Sequence, residues 1–179
     1  MFCAVAQMSQ LVFQPALDAL HAVFRLLRLR PILNGQHLSR DHVRILDFYL
    51  IFPFRIRAIR LAPTHQKFKK LAEKYAYLTP YGEQPDGPLL FQRMEPMQTA
   101  ALETLASRSY IDLAALKSDA VEPTAQPVPQ EIAVRTEILN AEQADLMEFL
   151  SLLASDYELS GDNGLKARTG LLEHRYDAV

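Results

Sequence analysis

Residues 43–53 read VRILDFYLIFP, and they are apolar on almost every side of a helix. Ser39 precedes the run as an N-cap, so the pattern predicts a helix from about Arg40 to Phe52 that ends at Pro53. A helix without a polar face is buried on most sides. We therefore expect this helix to be the hub of a mostly helical domain, with its neighbours packed around it.

One carboxylate interrupts the apolar run. Asp47 is expected in the core of the domain, where a charged side chain needs a hydrogen-bonded partner. The candidate partners are Arg25, Arg28 and Arg55, and Arg25 is the one we predict. An ion pair that fixes the position of the hub helix explains Asp47 better than a general base does.

The spacing of apolar residues predicts further helices around the hub. They cover approximately residues 15–31, 65–76, 95–109 and 140–160. Pro31 is expected to end the first of them. The buried face of that helix is predicted to consist of Leu17, Leu20, Phe24 and Leu27. Residues 54–61 alternate apolar and basic side chains, and there we favour a short helix over a strand.

Two other segments predict β-structure. Residues 132–138 alternate apolar and polar side chains, as expected of a strand. The segment Tyr110 to Leu113 directly follows a predicted helix. A β-prone segment in that position is common in winged helix-turn-helix domains, where it leads into the wing. The predicted fold class is therefore mainly α with minor β, a helical domain with winged helix-turn-helix-like elements.

The domain organisation is predicted from a change in composition after residue 117. Residues 118–130 include Pro123, Pro127 and Pro129 and almost no large apolar side chain, which is typical of a linker or a long surface loop. We expect a helical, winged-helix-like core domain over residues 1–117 and a Pro-rich linker or loop over 118–131. A C-terminal strand, helix and tail would then occupy residues 132–179.

The composition limits the classes of function. The chain has 179 residues, of which 49% are hydrophobic and 22% charged, and its formal net charge is −2. These values are ordinary for a globular protein and give no overall attraction to nucleic acid. The single cysteine, Cys3, excludes a disulfide framework and fits a reducing compartment. With no predicted membrane span and no secretion signal at the N-terminus, we expect a cytoplasmic protein.

The sequence contains no recognisable catalytic motif. It has no glycine-rich phosphate loop, no Gly-x-Ser-x-Gly and no His-Glu-x-x-His, and its five histidines are spread along the chain. We therefore expect no enzymatic activity, no cofactor and no metal site. The alternative is a small enzyme whose site is assembled from residues far apart in sequence, and a deep pocket with converging polar groups would favour it.

Basic residues are concentrated in the middle of the chain. They are Arg55, Arg57, Arg60, Lys67, Lys69, Lys70 and Lys74. Together they form a candidate contact surface for the phosphate backbone of DNA. The alternative is a solvated helix face, and a surface that touches DNA only within a larger complex would have the same sequence pattern.

Four segments resemble the middle components of bacterial three-component ABC ATPase systems. They are LHAVFRLL at 20–27, RILDFYLIFP at 44–53, MQTAAL at 97–102 and GLKARTGLL at 164–172. The resemblance covers most of the chain and lies in the order and spacing of the segments. It implies a small helical protein with winged helix-turn-helix elements, encoded beside an SMC/Rad50-like ABC ATPase and an effector, often a nuclease. Related systems, including the Lamassu type, act against phages or plasmids.

The resemblance implies an adaptor that links the ATPase to the effector and meets DNA through the complex. The predicted partner contacts lie in the tail, at Leu165, Lys166, Arg168, Leu171, Leu172 and Tyr176. Removing the residues after Gly164 is then expected to weaken the complex but leave the rest of the fold soluble. The rival interpretations are a stand-alone winged-helix DNA-binding transcriptional regulator and a helical scaffold of an unrelated complex.

Overall fold

The structure, a computed structural model, describes residues 14–172. In this range the chain forms α-helices, one small antiparallel sheet and several short 3₁₀-helices. The α-helices are α1 (Ala19–Leu33), α2 (Arg40–Ile51), α3 (Lys70–Lys74), α4 (Gly87–Ser107), α5 (Leu113–Lys117), α6 (Gln130–Glu142), α7 (Ala144–Asp156) and α8 (Leu165–Thr169). The strands are β1 (Leu38–Ser39) and β2 (Ala120–Val121). The prediction of a mainly α protein with minor β-structure is confirmed.

The predicted hub helix is α2. It is capped by the Ser39 side chain, which accepts a hydrogen bond from the backbone N–H of His42 at 3.3 Å. Every residue from His42 to Leu50 is buried. Helices α1, α4 and α7 and both strands contact it. The prediction of a helix surrounded by neighbours is confirmed, and its C-cap is Phe52, directly before Pro53.

Helix α1 buries Leu27 as predicted, but the rest of its buried face differs from the prediction. Leu20 is 80% exposed and Leu17 lies before the helix, in a 3₁₀-helix at Pro15–Leu17. The buried positions are Ala22, Arg25, Leu26, Leu27, Arg28, Leu29 and Leu33. The prediction failed because leucines occur around the whole helix and the buried face also carries two arginines. Pro31 does not end the helix: it lies in the last turn of α1, where it removes one backbone hydrogen bond, and two more residues follow it in the helix.

Helix α4 begins eight residues before the predicted start at Glu95 and Pro96. Asp86 is the N-cap, and its carboxylate accepts a hydrogen bond from the Leu89 N–H at 2.8 Å. Pro88 occupies the first turn, where proline is well tolerated, whereas Pro96 lies inside the helix. The earlier of two proline-containing starts is therefore the real one, and residues 89–91 are helical.

The small sheet joins distant parts of the chain. Leu38 pairs with Val121 and Ser39 with Ala120, in antiparallel orientation. Ile111 makes an isolated bridge to Pro123, and Asp112 then caps α5. The paired strands are therefore not a hairpin of neighbouring segments, and the winged helix-turn-helix elements stay a prediction.

The predicted strand over residues 132–138 is wrong, because this segment belongs to α6. Ile132, Val134 and Ile138 are 36%, 46% and 53% exposed. Thr136 is the buried residue of this helix. Helix α6 packs through small and polar side chains, and its larger apolar residues are exposed. Their alternation with polar residues therefore resembled the pattern of a strand.

Helix α7 has the predicted buried stripe but not the predicted start. Its buried residues are Leu146, Phe149, Leu150, Leu153 and Ala154, and Tyr157 follows as the buried C-cap. Asn140 lies in α6 and does not cap α7, and the N-cap Gln143 makes no side-chain capping bond. The amides of both residues bind Arg28 of α1 instead.

One hydrophobic core includes residues from α1 through Leu172. Phe149 of α7 packs against Phe68 with ring centroids 5.4 Å apart, and Leu165 of α8 is fully buried. Residues 118–131 contain β2 and an irregular segment. The segments proposed as separate parts of the chain therefore share their packing.

Candidate functional sites

A buried ion pair joins α1 to the hub helix. Arg25 Nε donates to Asp47 Oδ1 at 2.6 Å, and Arg25 Nη2 donates to Asp47 Oδ2 at 3.0 Å. Arg25 Nη1 also donates to the carbonyl of Pro15 at 2.8 Å. Asp47 is fully buried and Arg25 is 5% exposed. This is the pair predicted from the sequence, and its two-pronged geometry suits a guanidinium bound to a carboxylate.

Gln98 extends the pair to α4, a connection that sequence reasoning missed. Its Nε2 donates to Asp47 Oδ2 at 2.9 Å, and its Oε1 accepts from Arg44 Nε at 3.0 Å. Arg44 then donates to Asp41 at 2.8 Å and lies over the ring of Phe91, 4.5 Å from the centroid. The available signal was the position of Gln98 on the buried stripe of α4, four residues after Met94.

The buried network is structural in character. Each polar atom of Arg25, Asp47 and Gln98 described above is bound to another group of the protein. Burial without such partners would cost several kcal/mol for a charge, about 3–5 kcal/mol when one partner is removed. The network therefore fixes α1, α2 and α4 relative to each other.

The basic residues predicted to contact phosphate fall into two groups. Several of them bind groups of the protein itself. Lys74 pairs with Asp145 at 2.5 Å and Lys67 lies 4.0 Å from Glu148, so both face acidic residues of α7. Arg60 donates to the carbonyl of Ala167 in α8. Because α7 neutralises part of the lysine face, the seven residues do not form one continuous cationic surface.

The second group surrounds two neighbouring surface cavities and consists of Arg55, Arg57, Lys69 and Lys70. Arg55 and Lys69 of this group also donate to backbone carbonyls. The first, which we call the Tyr49 cavity, has a volume of about 340 Å³. It is lined by Phe48, Tyr49, Phe54, Arg55, Arg57, Ala58, Gly87, Pro88, Thr169 and Leu171. The second, the Arg57 groove, has a volume of about 440 Å³. It is lined by Phe54, Arg57, Lys69, Lys70, Ala72, Glu73, Ala76 and Thr79.

Two hydrogen-bond donors in the Tyr49 cavity are not used by the fold. Arg55 Nη2 donates to the carbonyl of Pro85 at 2.7 Å, but Arg55 Nε is buried and has no partner. Tyr49 is 2% exposed, and within residues 14–172 nothing binds its hydroxyl. In that range Arg55 Nε is the one fully enclosed side-chain nitrogen or oxygen without a partner. The Tyr49 hydroxyl has no partner either, so it is not fully enclosed, and we place its exposed surface in the cavity that Tyr49 lines.

Burial controls the protonation of both groups. It raises the pKa of Tyr49 well above its usual range, although the nearby Arg55 charge opposes the shift. Burial also lowers the pKa of Arg55, whereas Asp86 and Tyr49 raise it. Arginine remains charged at any ordinary pH. The cavity therefore presents a neutral hydroxyl donor beside a cation.

Gly87 keeps the cavity open at the start of α4. A Cβ at this position would lie 3.4 Å from Leu171 Cδ2, 3.8 Å from Arg55 Nη1 and 3.9 Å from Phe48 Cζ. These are ordinary contact distances, so a side chain fits there only by occupying the space in front of Arg55.

Three of the six tail residues predicted to contact a partner are in the core. Leu165, Leu171 and Leu172 are 0%, 4% and 8% exposed, so in this conformation their side chains contact this chain itself. Lys166 lies 3.8 Å from Asp41, and Arg168 Nη1 donates to the carbonyl of Arg60 at 2.5 Å. The expectation that the fold tolerates removal of this segment is therefore revised, because removal would uncover the core.

Tyr176 lies outside the described residues, as does Cys3. In residues 14–172 no group of three or more His, Cys, Asp or Glu side chains is arranged to hold a metal ion. None of the helices in the same range is both long and apolar enough to cross a membrane.

The fold and its cavities define a mainly helical protein with a polar network in the core and basic surface cavities beside the hub helix. Comparison with protein families identifies it further. The model of the family described as ABC-three component (ABC-3C) system Middle Component 5 matches residues 11–177, and the chain belongs to this family. Searches of curated proteins and of solved structures found no match to the chain.

Proposed function

We propose that this chain is a non-enzymatic adaptor that joins the ABC ATPase of a three-component system to its effector. The observation that carries the proposal is the family match over residues 11–177, which assigns the chain to the middle components of such systems. The buried network supports it, since Asp47, the carboxylate most deeply placed in the core, is bound by Arg25 and Gln98.

The finer features follow from the resemblance of the four sequence segments. On this proposal the ATPase is SMC/Rad50-like, the effector is often a nuclease, and the system acts against phages or plasmids. DNA is met through the assembled complex. The pairing of Lys67 and Lys74 with acidic residues of α7 favours this arrangement over a stand-alone DNA-binding regulator.

Co-expression with the two proteins encoded beside the gene tests the proposal. A tag on this chain should recover both the ATPase and the effector, and a tag on the effector should recover the ATPase only when this chain is present. Recovery of an ATPase–effector complex in the absence of this chain would contradict the adaptor role. Substrate turnover by the purified chain alone would contradict its non-enzymatic character.

A further inference from the structure

Two residues that line the Tyr49 cavity have polar groups that the rest of residues 14–172 leaves unused. Burying a donor without a partner costs about 1–3 kcal/mol. Tyr49 and Arg55 line the same cavity, and within residues 14–172 neither the Tyr49 hydroxyl nor Arg55 Nε has a partner. A ligand with two acceptor atoms can bind the Tyr49 hydroxyl and the Arg55 guanidinium together, because both residues line this cavity.

We propose that the Tyr49 cavity binds a carboxylate side chain presented by an extended, acidic segment of a partner protein. The proposal rests on the proposed function in one respect, namely that the segment belongs to another component of the system. One carboxylate oxygen accepts from the Tyr49 hydroxyl and the other from the Arg55 guanidinium, whose Nη1 faces the space beside Gly87.

The donor set matches a carboxylate better than a phosphate. An ionised carboxylate offers two acceptor oxygens and no donor, which corresponds to two free donors. Arg55 and Arg57 both line the cavity, and the charge of Asp86 acts on Arg55. This nearby negative charge disfavours a dianionic group.

The wall of the cavity is suited to the rest of an amino-acid side chain. Phe48, Phe54 and Leu171 provide apolar surface around the two donors. Apolar walls with a few well-placed polar groups are typical of sites that bind a specific side chain or small ligand.

The neighbouring groove extends the site beyond one residue. Phe54 and Arg57 line both the Tyr49 cavity and the Arg57 groove, so the two lie next to each other on the surface. Lys69 and Lys70 add positive charge to the groove, against the single carboxylate of Glu73. An extended segment advances by about 3.3 Å per residue, so a few residues with acidic character span both spaces.

The site is tested on the purified chain without any partner. The probe is the capped dipeptide acetyl-Glu-Leu-amide, and its matched control is acetyl-Gln-Leu-amide. In an NMR titration at millimolar concentration, the Glu peptide should shift the Arg55 Nε–H and Gly87 N–H resonances in a saturable way. The Gln peptide should not. Absence of a shift with the Glu peptide, or an equal shift with the Gln peptide, would overturn the proposal.

Two variants locate the binding. Tyr49→Phe removes one hydrogen bond to a charged group and should weaken binding of the Glu peptide about tenfold. Gly87→Leu fills the cavity and should abolish the shift of Arg55 Nε–H. Arg108→Gln is the control, because α4 places Arg108 about 30 Å from Gly87, and it should bind as the wild type does. Unchanged binding in both cavity variants would overturn the assignment to this cavity.

Two further experiments distinguish a carboxylate from a phosphate ligand, and failure of the site from failure of the proposed function. Inorganic phosphate should shift the same resonances less than the Glu peptide; an equal or larger shift would overturn the carboxylate assignment and favour phosphate. In the co-expression experiment, Tyr49→Phe and Gly87→Leu should lose a partner that Arg108→Gln retains. If the wild type itself recovers no partner, the adaptor proposal fails, and the titration alone decides whether the carboxylate site exists.

Discussion

Asp47 and Tyr49 are two residues apart on the same helix, but their polar groups differ in whether they have hydrogen-bond partners. The carboxylate of Asp47 is fully buried and receives hydrogen bonds from Arg25 and Gln98. The hydroxyl of Tyr49, whose residue is 2% exposed, receives and donates none within the described part of the chain. A satisfied polar group explains how the helices are held together. A polar group without a partner beside a cavity, such as the Tyr49 hydroxyl, is the basis of our proposal that this cavity binds a ligand.

The largest expected effect is on stability, and it follows from removing the hydrogen-bonded carboxylate of Asp47. Asp47→Ala leaves the Arg25 guanidinium buried without its carboxylate, and we expect a loss of about 3–5 kcal/mol in the free energy of unfolding. Urea titration followed by circular dichroism measures it. A loss below about 1 kcal/mol would mean that the network contributes little to stability.

Gln98→Leu tests the extension of the network to α4. The substitution keeps an apolar side chain of similar length but leaves Arg44 Nε and Asp47 Oδ2 each without one partner. We expect a loss of about 1–3 kcal/mol, measured in the same titration. The control is Gln92→Leu on the exposed face of α4, which should change stability by less than about 0.5 kcal/mol. Equal effects of the two substitutions would contradict the structural role of Gln98.

Whether a feature could be predicted from the sequence depended on the kind of side chain that forms it. The hub helix and the stripe of α7 were predictable because large apolar residues carry their packing. The Arg25–Asp47 pair was predictable because a carboxylate inside an apolar run demands a cation.

The failures have a common physical cause. Helix α6 packs through Thr136 and binds α1 through Asn140, so its buried face has no hydrophobic period. The Tyr49 cavity was invisible because it depends on the absence of a partner for one hydroxyl, and on Gly87 having no side chain. The cavity forms only where residues 48–58, 87–88 and 169–171 meet in the fold. The sequence did indicate two of its residues, Arg55 and Arg57, as candidate contacts.

The same substitution at two equally buried tyrosines sharpens the comparison. Tyr49 and Tyr75 are each 2% exposed, but the Tyr75 hydroxyl donates to Asp145 at 2.7 Å. Tyr75→Phe should therefore lower the free energy of unfolding by about 1–2 kcal/mol. Tyr49→Phe removes an unsatisfied hydroxyl and should leave stability unchanged or raise it by up to about 1 kcal/mol. A comparable loss in both variants would show that Tyr49 has a structural partner.

The smallest expected effect is a dependence on pH at His42. Burial lowers the pKa of His42 below its usual 6.5, despite the hydrogen bond between its Nε2 and the Leu153 carbonyl. As the pH falls through 6.5, the unfolded chain takes up a proton before the folded chain does, so stability is lost on acidification below that value. Unfolding midpoints measured from pH 7.5 to 5.5 should fall.

His42→Gln is the control for this pH dependence. Glutamine does not titrate, so the decrease between pH 7 and pH 5.5 should become shallower than in the wild type, whatever the change in overall stability. An identical slope in the two proteins would assign the pH dependence to other groups.

The most direct test of the account measures stability and assembly on the same variant. Tyr49→Phe should unfold at the same or a higher urea concentration than the wild type and yet recover less of a partner in co-purification. That result would assign the Tyr49 hydroxyl to binding. A variant that loses stability while assembling as the wild type does would contradict the account, since the hydroxyl would then serve the fold.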